Sequence, residues 1–354
     1  MLKVLIVDDS AVVSLLLRNT LEQGGLEVVG EARDGRQALV MVSQLKPDVV
    51  AMDIHMPNLD GYQTTKQLMS VNPLPIVLVT ASEDPNDAAV AMRALDVGAL
   101  AVVQKPRGPG HPKYQQDAAE LVRTVRNMAQ VKVITRVNRL QRSAETSDAA
   151  VVSQLTGQKP KIIVLGASTG GPMALRELLS SLHSVLPWPL LAVQHISHGF
   201  IGSFCNWLNE SSAIPVRIAK QNEIAKAGQL YLAPDDCHLG VRLDSSGACY
   251  LQLAVSEPWL GQRPAVGYLF NSVVQSYGEQ SVAVLLSGMG TDGAAQMLTL
   301  KKLGALTIAQ DKASSVVHGM PGEAVRLNAA TYTLCPRDIA ALLNILALQH
   351  APDG

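Results

Sequence analysis

Short apolar runs alternate with stretches of helical periodicity along most of the chain. In the N-terminal part the runs occupy residues 4–7, 27–31, 49–52, 76–80 and 100–103. Between them, Ala38, Leu39, Val42 and Leu45 recur at the spacing of one helix face. Five such β-α units predict a parallel sheet with helices on both faces. A second series, at 162–165, 190–194, 229–233, 282–286 and 305–309, repeats the scheme without repeating the sequence. The expected fold class is therefore α/β, with two different doubly wound parallel-sheet domains, at 1–129 and 160–350. Residues 130–159 are expected to form a helical extension and linker. Residues 131–142 can continue a helix, and Ser143-Ala144-Glu145-Thr146-Ser147-Asp148-Ala149-Ala150 then loses all apolar periodicity on the way to Lys159-Pro160.

Composition narrows the function classes. Of 354 residues 47% are hydrophobic and 17% charged, enough apolar material for two cores and the opposite of a disordered chain. The net charge of −1 gives no global basic field for nucleic acid or an anionic membrane. A DNA-binding output is further disfavoured because no basic recognition helix follows the linker. No apolar run approaches the ~18 residues of a membrane span, so no membrane insertion is expected. The opening Met1-Leu2-Lys3-Val4-Leu5-Ile6-Val7 is too short for a signal peptide and runs directly into Asp8 and Asp9. Cys205, Cys237, Cys249 and Cys335 lack metal-ligand spacing and read as reduced, mostly buried cysteines of a cytoplasmic protein.

In the first domain, chemistry concentrates at the ends of the apolar runs. Asp8 and Asp9 end the first, Asp53 the third and Thr80 the fourth, while Lys105 follows the fifth. With strand order 2-1-3-4-5, all five converge beyond the carboxyl edge of the sheet, where such sheets bind ligands. Three adjacent carboxylates repel unless a divalent cation neutralises them, and all-oxygen ligation suits Mg²⁺. The chemistry that follows is phosphoryl transfer onto one carboxylate. The segments Val7-Asp8-Asp9-Ser10, Met52-Asp53-Ile54-His55-Met56-Pro57, Asp60-Gly61, Val79-Thr80-Ala81 and Lys105-Pro106 resemble the response-regulator receiver family, which has a flavodoxin-like fold. That resemblance implies phosphorylation of Asp53, Mg²⁺ held by Asp8, Asp9 and Asp53, and phosphoryl contacts from Thr80 and Lys105. It also implies a cis peptide at Lys105-Pro106. One departure is Val102, where receivers often carry an aromatic side chain that rotates on activation.

In the second domain, Gly166-Ala167-Ser168-Thr169-Gly170-Gly171-Pro172 reads as a tight turn between a strand and a helix. A dinucleotide site is one reading of such glycines, but it requires an acid about 20 residues on. The next strand ends instead in Gln194-His195, and the glycine register also fails. The other reading is a nucleophile turn, in which Ser168 takes His195 as its base. Asp292, in the Gly-rich segment after the run at 282–286, is the candidate that would orient the imidazole. His198 competes for the base and is demoted by its position beyond the strand, while His238 and His318 are expected at the rim.

Residues 166–172, Gln194-His195, residues 228–234, 286–293 and 310–321 resemble the chemotaxis protein-glutamate methylesterase family, CheB, over roughly 160–345. The resemblance implies a Rossmann-like esterase domain that hydrolyses glutamate γ-methyl esters and deamidates glutamines on chemoreceptors. It assigns Ser168 as nucleophile, His195 as base, Asp292 as orienter and the Met289 backbone N–H to the oxyanion hole, with no cofactor for the esterase step. It further implies methylated chemoreceptor cytoplasmic domains as substrates, a histidine kinase of the CheA type as phosphodonor, and an unphosphorylated receiver lying over the esterase cleft. A second departure is Pro264-Ala265-Val266-Gly267, where the family commonly has Pro-Ser-Val-Asp. A non-catalytic signalling adaptor therefore stays open beside the esterase, as does a nucleotide-binding reductase.

Overall fold

A computed structural model describes residues 1–80, 85–131, 133, 159–183 and 186–349, with the backbone alone for 85–88. The chain divides into two compact units, Met1–Glu145 and Thr146–Gly354. Apart from residues 130, 131, 133 and 159, the expected extension and linker lie outside the described residues, as does the helical continuation over 131–142 except for 131 and 133.

The first unit follows the expected β-α alternation: β1 (Lys3–Val7), α1 (Ala11–Gln23), β2 (Glu27–Ala32), α2 (Gly35–Leu45), β3 (Val49–Asp53), α3 (Gly61–Val71), β4 (Ile76–Thr80), α4 (Pro85–Asp96), β5 (Ala101–Gln104) and α5 (Tyr114–Met128). The strands pair in parallel in the order β2-β1-β3-β4-β5. β3 and β4 are buried along their whole length, as expected for central strands covered on both faces. Helix starts are fixed locally: Ser10, Asp34 and Asp60 accept from the backbone N–H groups of Val13, Gln37 and Gln63.

The second unit contains β6 (Ile162–Ala167), α6 (Gly171–Ser180), β7 (Leu190–Gln194), α7 (Ile201–Asn209), β8 (Val216–Ile218), β9 (Leu230–Leu232), β10 (His238–Leu243), β11 (Cys249–Ala254), α8 (Val266–Ser276), β12 (Ser281–Leu285), α9 (Ala294–Lys302), β13 (Leu306–Gln310), α10 (Met320–Arg326), β14 (Tyr332–Leu334) and α11 (Pro336–Gln349). Seven strands form a parallel sheet in the order β14-β13-β12-β6-β7-β9-β8. β10 and β11 make a separate antiparallel hairpin that packs on α8. Its loop is closed by Asp244, whose carboxylate accepts from the backbone N–H groups of Ser246 and Ala248. The core gathers Val164, Leu191 and Val193 from the sheet with Phe270, Leu269 and Met297 from the helices.

This topology decides where the site lies. Strand order reverses at β6, which has β7 on one side and β12 on the other, and the segments leaving these three strands are neighbours. α8 is drawn onto the same edge by Gly166, since a Cβ there would lie 2.3 Å from Val266 Cγ1.

Candidate active site and phosphoryl-acceptor site

In the second unit, parallel register sets Ala167 beside Gln194 and Leu285 beside Gly166. Ser168, His195 and the loop at 286–293 therefore leave the sheet together. His195 Nε2 lies 3.0 Å from Asp292 Oδ2; the Asp292 side chain is buried and that of His195 nearly so. With Nε2 turned to the carboxylate, Nδ1 is the ring nitrogen left for the nucleophile side. Asp292 also seats the start of α8: Val266 N–H donates to Oδ2 at 2.7 Å and Gly267 N–H to Oδ1 at 2.8 Å. The helix N-terminus and the imidazole thus share one carboxylate, an arrangement that stabilises its negative charge.

The turn carrying Ser168 is held from below. Its N–H donates to Ser287 O at 3.0 Å, so this group is already spent and is not available to an oxyanion. Thr169 N–H, directly after Ser168, has no acceptor among the described residues. Gly170 adopts φ of 76° at the N-cap of α6, and a Cβ there would lie 2.7 Å from Ser287 Oγ, so both backbone and space call for glycine. Ser287 Oγ donates to Thr169 O at 2.8 Å and accepts from Val317 N–H at 3.0 Å. Gly288 O accepts from the N–H groups of Gly319 and Met320, which anchors the turn bearing Met289 to the start of α10.

The other histidines separate clearly. His198 is exposed and lies 3.2 Å from Asp236 Oδ2, consistent with its demotion as base. His238 is not at the rim but fully buried, because β10 carries it beneath α8. Its ring stacks on Tyr268 at 4.5 Å, Nε2 lies 3.1 Å from Glu257 O, and Nδ1 accepts from Ala265 N–H at 3.2 Å. Burial lowers its pKa, helped by the Arg263 charge and opposed by Glu257 O and Asp292. His318 is half-buried, and burial with the charge of Lys312 lowers its pKa as well. The departure at Ala265 and Gly267 does not cost the acid its partners, since the donors are backbone groups. The space a Gly267 side chain would fill is bordered by Asp292 Oδ1 at 2.9 Å, Gln296 Oε1 at 3.0 Å and Trp259 Nε1 at 3.0 Å.

In the first unit, Val7 pairs with Met52, which makes Asp8 and Asp53 neighbours at the strand ends. Lys105 Nζ lies 2.7 Å from Asp8 Oδ2 and 2.8 Å from Asp53 Oδ2. Oxygens of Asp8, Asp9 and Asp53 lie within 4.8 Å of one another. One ammonium cannot balance three carboxylates, and an all-oxygen donor set of this size fits Mg²⁺. Burial pushes the Asp53 carboxyl up, against the hydrogen bond and charge of Lys105. Burial opposes the Lys105 charge too, but its bonds to Asp53 and Asp8 outweigh this and hold the ammonium above its ordinary range. Thr80 ends β4, and its carbonyl accepts from Lys105 N–H at 2.7 Å. The expected cis bond at Lys105-Pro106 is absent; the cis peptide among the described residues is Arg263-Pro264. Lys105 already reaches both carboxylates while its N–H stays paired to β4, so the trans form, favoured by about 0.5–1 kcal/mol, meets the site's needs.

Four of the contributing groups were not legible as site residues: the N–H groups of Val266 and Gly267, the buried His238 and the Ser287 hydroxyl. Only Ser287 carries a signal, a polar residue ending an apolar run. All four cysteines are free thiols, with Cys205 and Cys249 buried and the other two partly exposed. No helix among the described residues is long and apolar enough to cross a membrane.

Two family models match separate parts of the chain. The family model "CheB methylesterase" matches residues 163–343, and "Response regulator receiver domain" matches 4–111. A protein-glutamate methylesterase/protein-glutamine glutaminase of Hahella chejuensis is 49% identical over 98% of this chain and 99% of its own length. One from Geobacter metallireducens is 44% identical over 99% of this chain and all of its own. The crystal structure of the Thermotoga maritima CheB methylesterase catalytic domain is 35% identical, with a TM-score of 0.52, covering 53% of this chain and 99% of that one. The chain belongs to the CheB methylesterase family and carries a response-regulator receiver domain ahead of its esterase domain.

Proposed function

We propose that the chain is a phosphorylation-regulated serine hydrolase acting on glutamate γ-methyl esters, and on certain glutamine amides, of methyl-accepting chemoreceptors. The observation that carries this reading is the buried 3.0 Å pairing of His195 with Asp292 beside the strand end that bears Ser168. The buried carboxylate holds Nε2–H, leaving Nδ1 as the base. Nδ1 takes the proton of the Ser168 hydroxyl as its oxygen attacks the ester carbonyl. The N–H of Thr169, with that of Met289, receives the developing oxyanion; loss of one such donor typically costs ~10²–10³ in rate. His195 returns the proton to the leaving methoxide, methanol departs, and water activated by the same imidazole hydrolyses the acyl-enzyme to the glutamate carboxylate. The amide reaction differs in its leaving group, ammonia.

In the receiver, Asp53 is the phosphoryl acceptor and a histidine kinase of the CheA type the donor. Asp8, Asp9 and Asp53 would hold Mg²⁺, which supplies charge neutralisation to the transferred group. Lys105 adds a fixed cation at the same place and Thr80 a hydroxyl, and phospho-Asp53 sets the esterase rate. The domain boundaries 1–129 and 160–350 and a cytoplasmic location belong to the same reading. The adaptor alternative loses its support, because the altered Ala265 and Gly267 leave the backbone donors to Asp292 in place.

The test combines an alkyl fluorophosphonate with methanol release from methylated receptor. Ser168 should be labelled in wild type and not in His195→Ala, and a small phosphodonor should raise methanol release in wild type but not in Asp53→Ala. Absent labelling of Ser168 would reject the hydrolase; equal rates with and without phosphodonor would reject the control.

A further inference from the structure

Beyond their last backbone rung, the strands bearing nucleophile and base are joined by one side-chain amide. His195 N–H donates to Ala167 O at 2.9 Å, and past this bond the two chains turn into loops. Gln194, at the end of β7 and 2% exposed, continues the pairing with its side chain. Its Nε2 donates to Ser168 O at 2.8 Å and to His195 O at 2.8 Å. A primary amide has two N–H bonds in a fixed plane, so both are used, one on the carbonyl of each reacting residue. The reverse orientation would set Oε1 against two carbonyl oxygens, which fixes the amide as it stands.

The other end of the same group is left unpartnered. Gln194 Oε1 is buried with no hydrogen-bond donor among the described residues. It fits only because residue 171 is glycine, since a Cβ there would lie 2.4 Å from Oε1. A buried amide oxygen without a donor is unfavourable, and an apolar side chain of the same length would avoid it. Retaining the amide therefore points to the donors at its other face. Ser168 O also accepts from Gly171 N–H at 2.8 Å, so the nucleophile's carbonyl is fixed from the helix and from the neighbouring strand together.

We propose that Gln194 is a positioning residue for hydrolysis: its amide clamps the backbone carbonyls of Ser168 and His195 and so sets the span across which hydroxyl and imidazole meet. The proposal rests on the Ser168–His195–Asp292 reading and deepens it. Gln194 touches no substrate; it acts through the two residues it holds. Small misplacements of reacting groups reduce rates steeply, so its loss should appear in the maximal rate rather than in binding.

The experiment uses the full chain with Gln194→Met and Gln194→Glu, following Ser168 labelling by an alkyl fluorophosphonate over a range of probe concentrations and roughly pH 5.5 to 8.5. Met keeps the length and removes both donors. Its maximal labelling rate should fall about tenfold or more, with the half-saturating concentration changed less than about twofold. Glu is isosteric but sets carboxylate oxygens against both carbonyls, and only its protonated form offers one O–H donor. The ratio of Glu-variant to wild-type rate should therefore rise as pH falls. A Met variant within about threefold of wild type, or a flat ratio across the range, overturns the proposal. Loss of cooperative unfolding of the esterase unit in both variants also overturns it, by assigning the amide to folding alone. Absent labelling in wild type is a separate result, which rejects the triad before Gln194 is tested.

Discussion

Replacing Asp292 with Asn probes the carboxylate on which two structures converge. Three donors meet its two oxygens: Val266 N–H and His195 Nε2 on Oδ2, and Gly267 N–H on Oδ1. An amide has one acceptor oxygen, so in either orientation its NH₂ faces at least one of these N–H groups. If the oxygen stays toward His195, the tautomer survives but the charge is gone. At 3.0 Å and an effective dielectric near 20, the attraction between carboxylate and imidazolium is about 5.5 kcal/mol. Both side chains are nearly buried, so solvent screening removes little of this. At 1.36 kcal/mol per decade, Asp292→Asn should lower the maximal rate by about 10⁴. The other orientation turns the imidazole to the wrong tautomer and is no better. The N-terminal turn of α8 loses a cap worth about 0.5–2 kcal/mol, too little to unfold a domain of ordinary stability. Fluorophosphonate labelling and methanol release should fall together while thermal unfolding remains cooperative. A folded variant keeping more than about a tenth of the wild-type rate would show that the base does not depend on this carboxylate.

Further outcomes follow from other contacts. Ser287→Ala leaves the half-buried Val317 N–H without its acceptor, which should cost about 1 kcal/mol and about 2–4 °C in Tm per kcal/mol; an unchanged Tm would refute the junction role given to this hydroxyl. Because the folded pKa of His238 is lowered, the unfolded chain binds the extra proton, so stability should fall as pH drops below about 6.5. His238→Asn keeps an acceptor for Ala265 N–H without titrating, and its urea midpoints should vary less between roughly pH 6.5 and 5; an equal acid slope would contradict the assignment. Removing Mg²⁺ with a chelator should abolish labelling of Asp53 by a small phosphodonor and, with no phosphodonor present, leave fluorophosphonate labelling of Ser168 within about twofold. Loss of both would place the metal requirement outside the receiver.

The five strands of the first unit, with acids at the ends of the first and third, were readable because they are apolar runs with polar ends; their order entered as a condition and is the one observed. Ser168 and His195 stand out for the same reason, each lying just past such a run, whereas Asp292 lies further on, in a Gly-rich segment. β8 and β14 were missed because they are three-residue edge strands, too short to show a period. The hairpin of β10 and β11 was missed because it departs from the β-α alternation and buries His238 as though it were apolar. The support of Asp292 was not readable at all. Its donors are main-chain groups of Val266 and Gly267, which exist at every residue and become specific only when α8 settles over Gly166. For the same reason, the changed side chains at 265 and 267 looked more damaging in sequence than they are in space.

The hydroxyl of Ser287 joins three loops that are distant along the chain, touching the turn after β6 through Thr169 and the segment before α10 through Val317. Main-chain bonds follow the same route, from Ser168 to Ser287 and from Gly288 to Val317, Gly319 and Met320. Loops tied in this way cannot fray one at a time. In deuterated solvent the amides of residues 168, 288, 317, 319 and 320 should exchange through one shared opening, so that this edge of the sheet loosens or holds as a single cooperative unit.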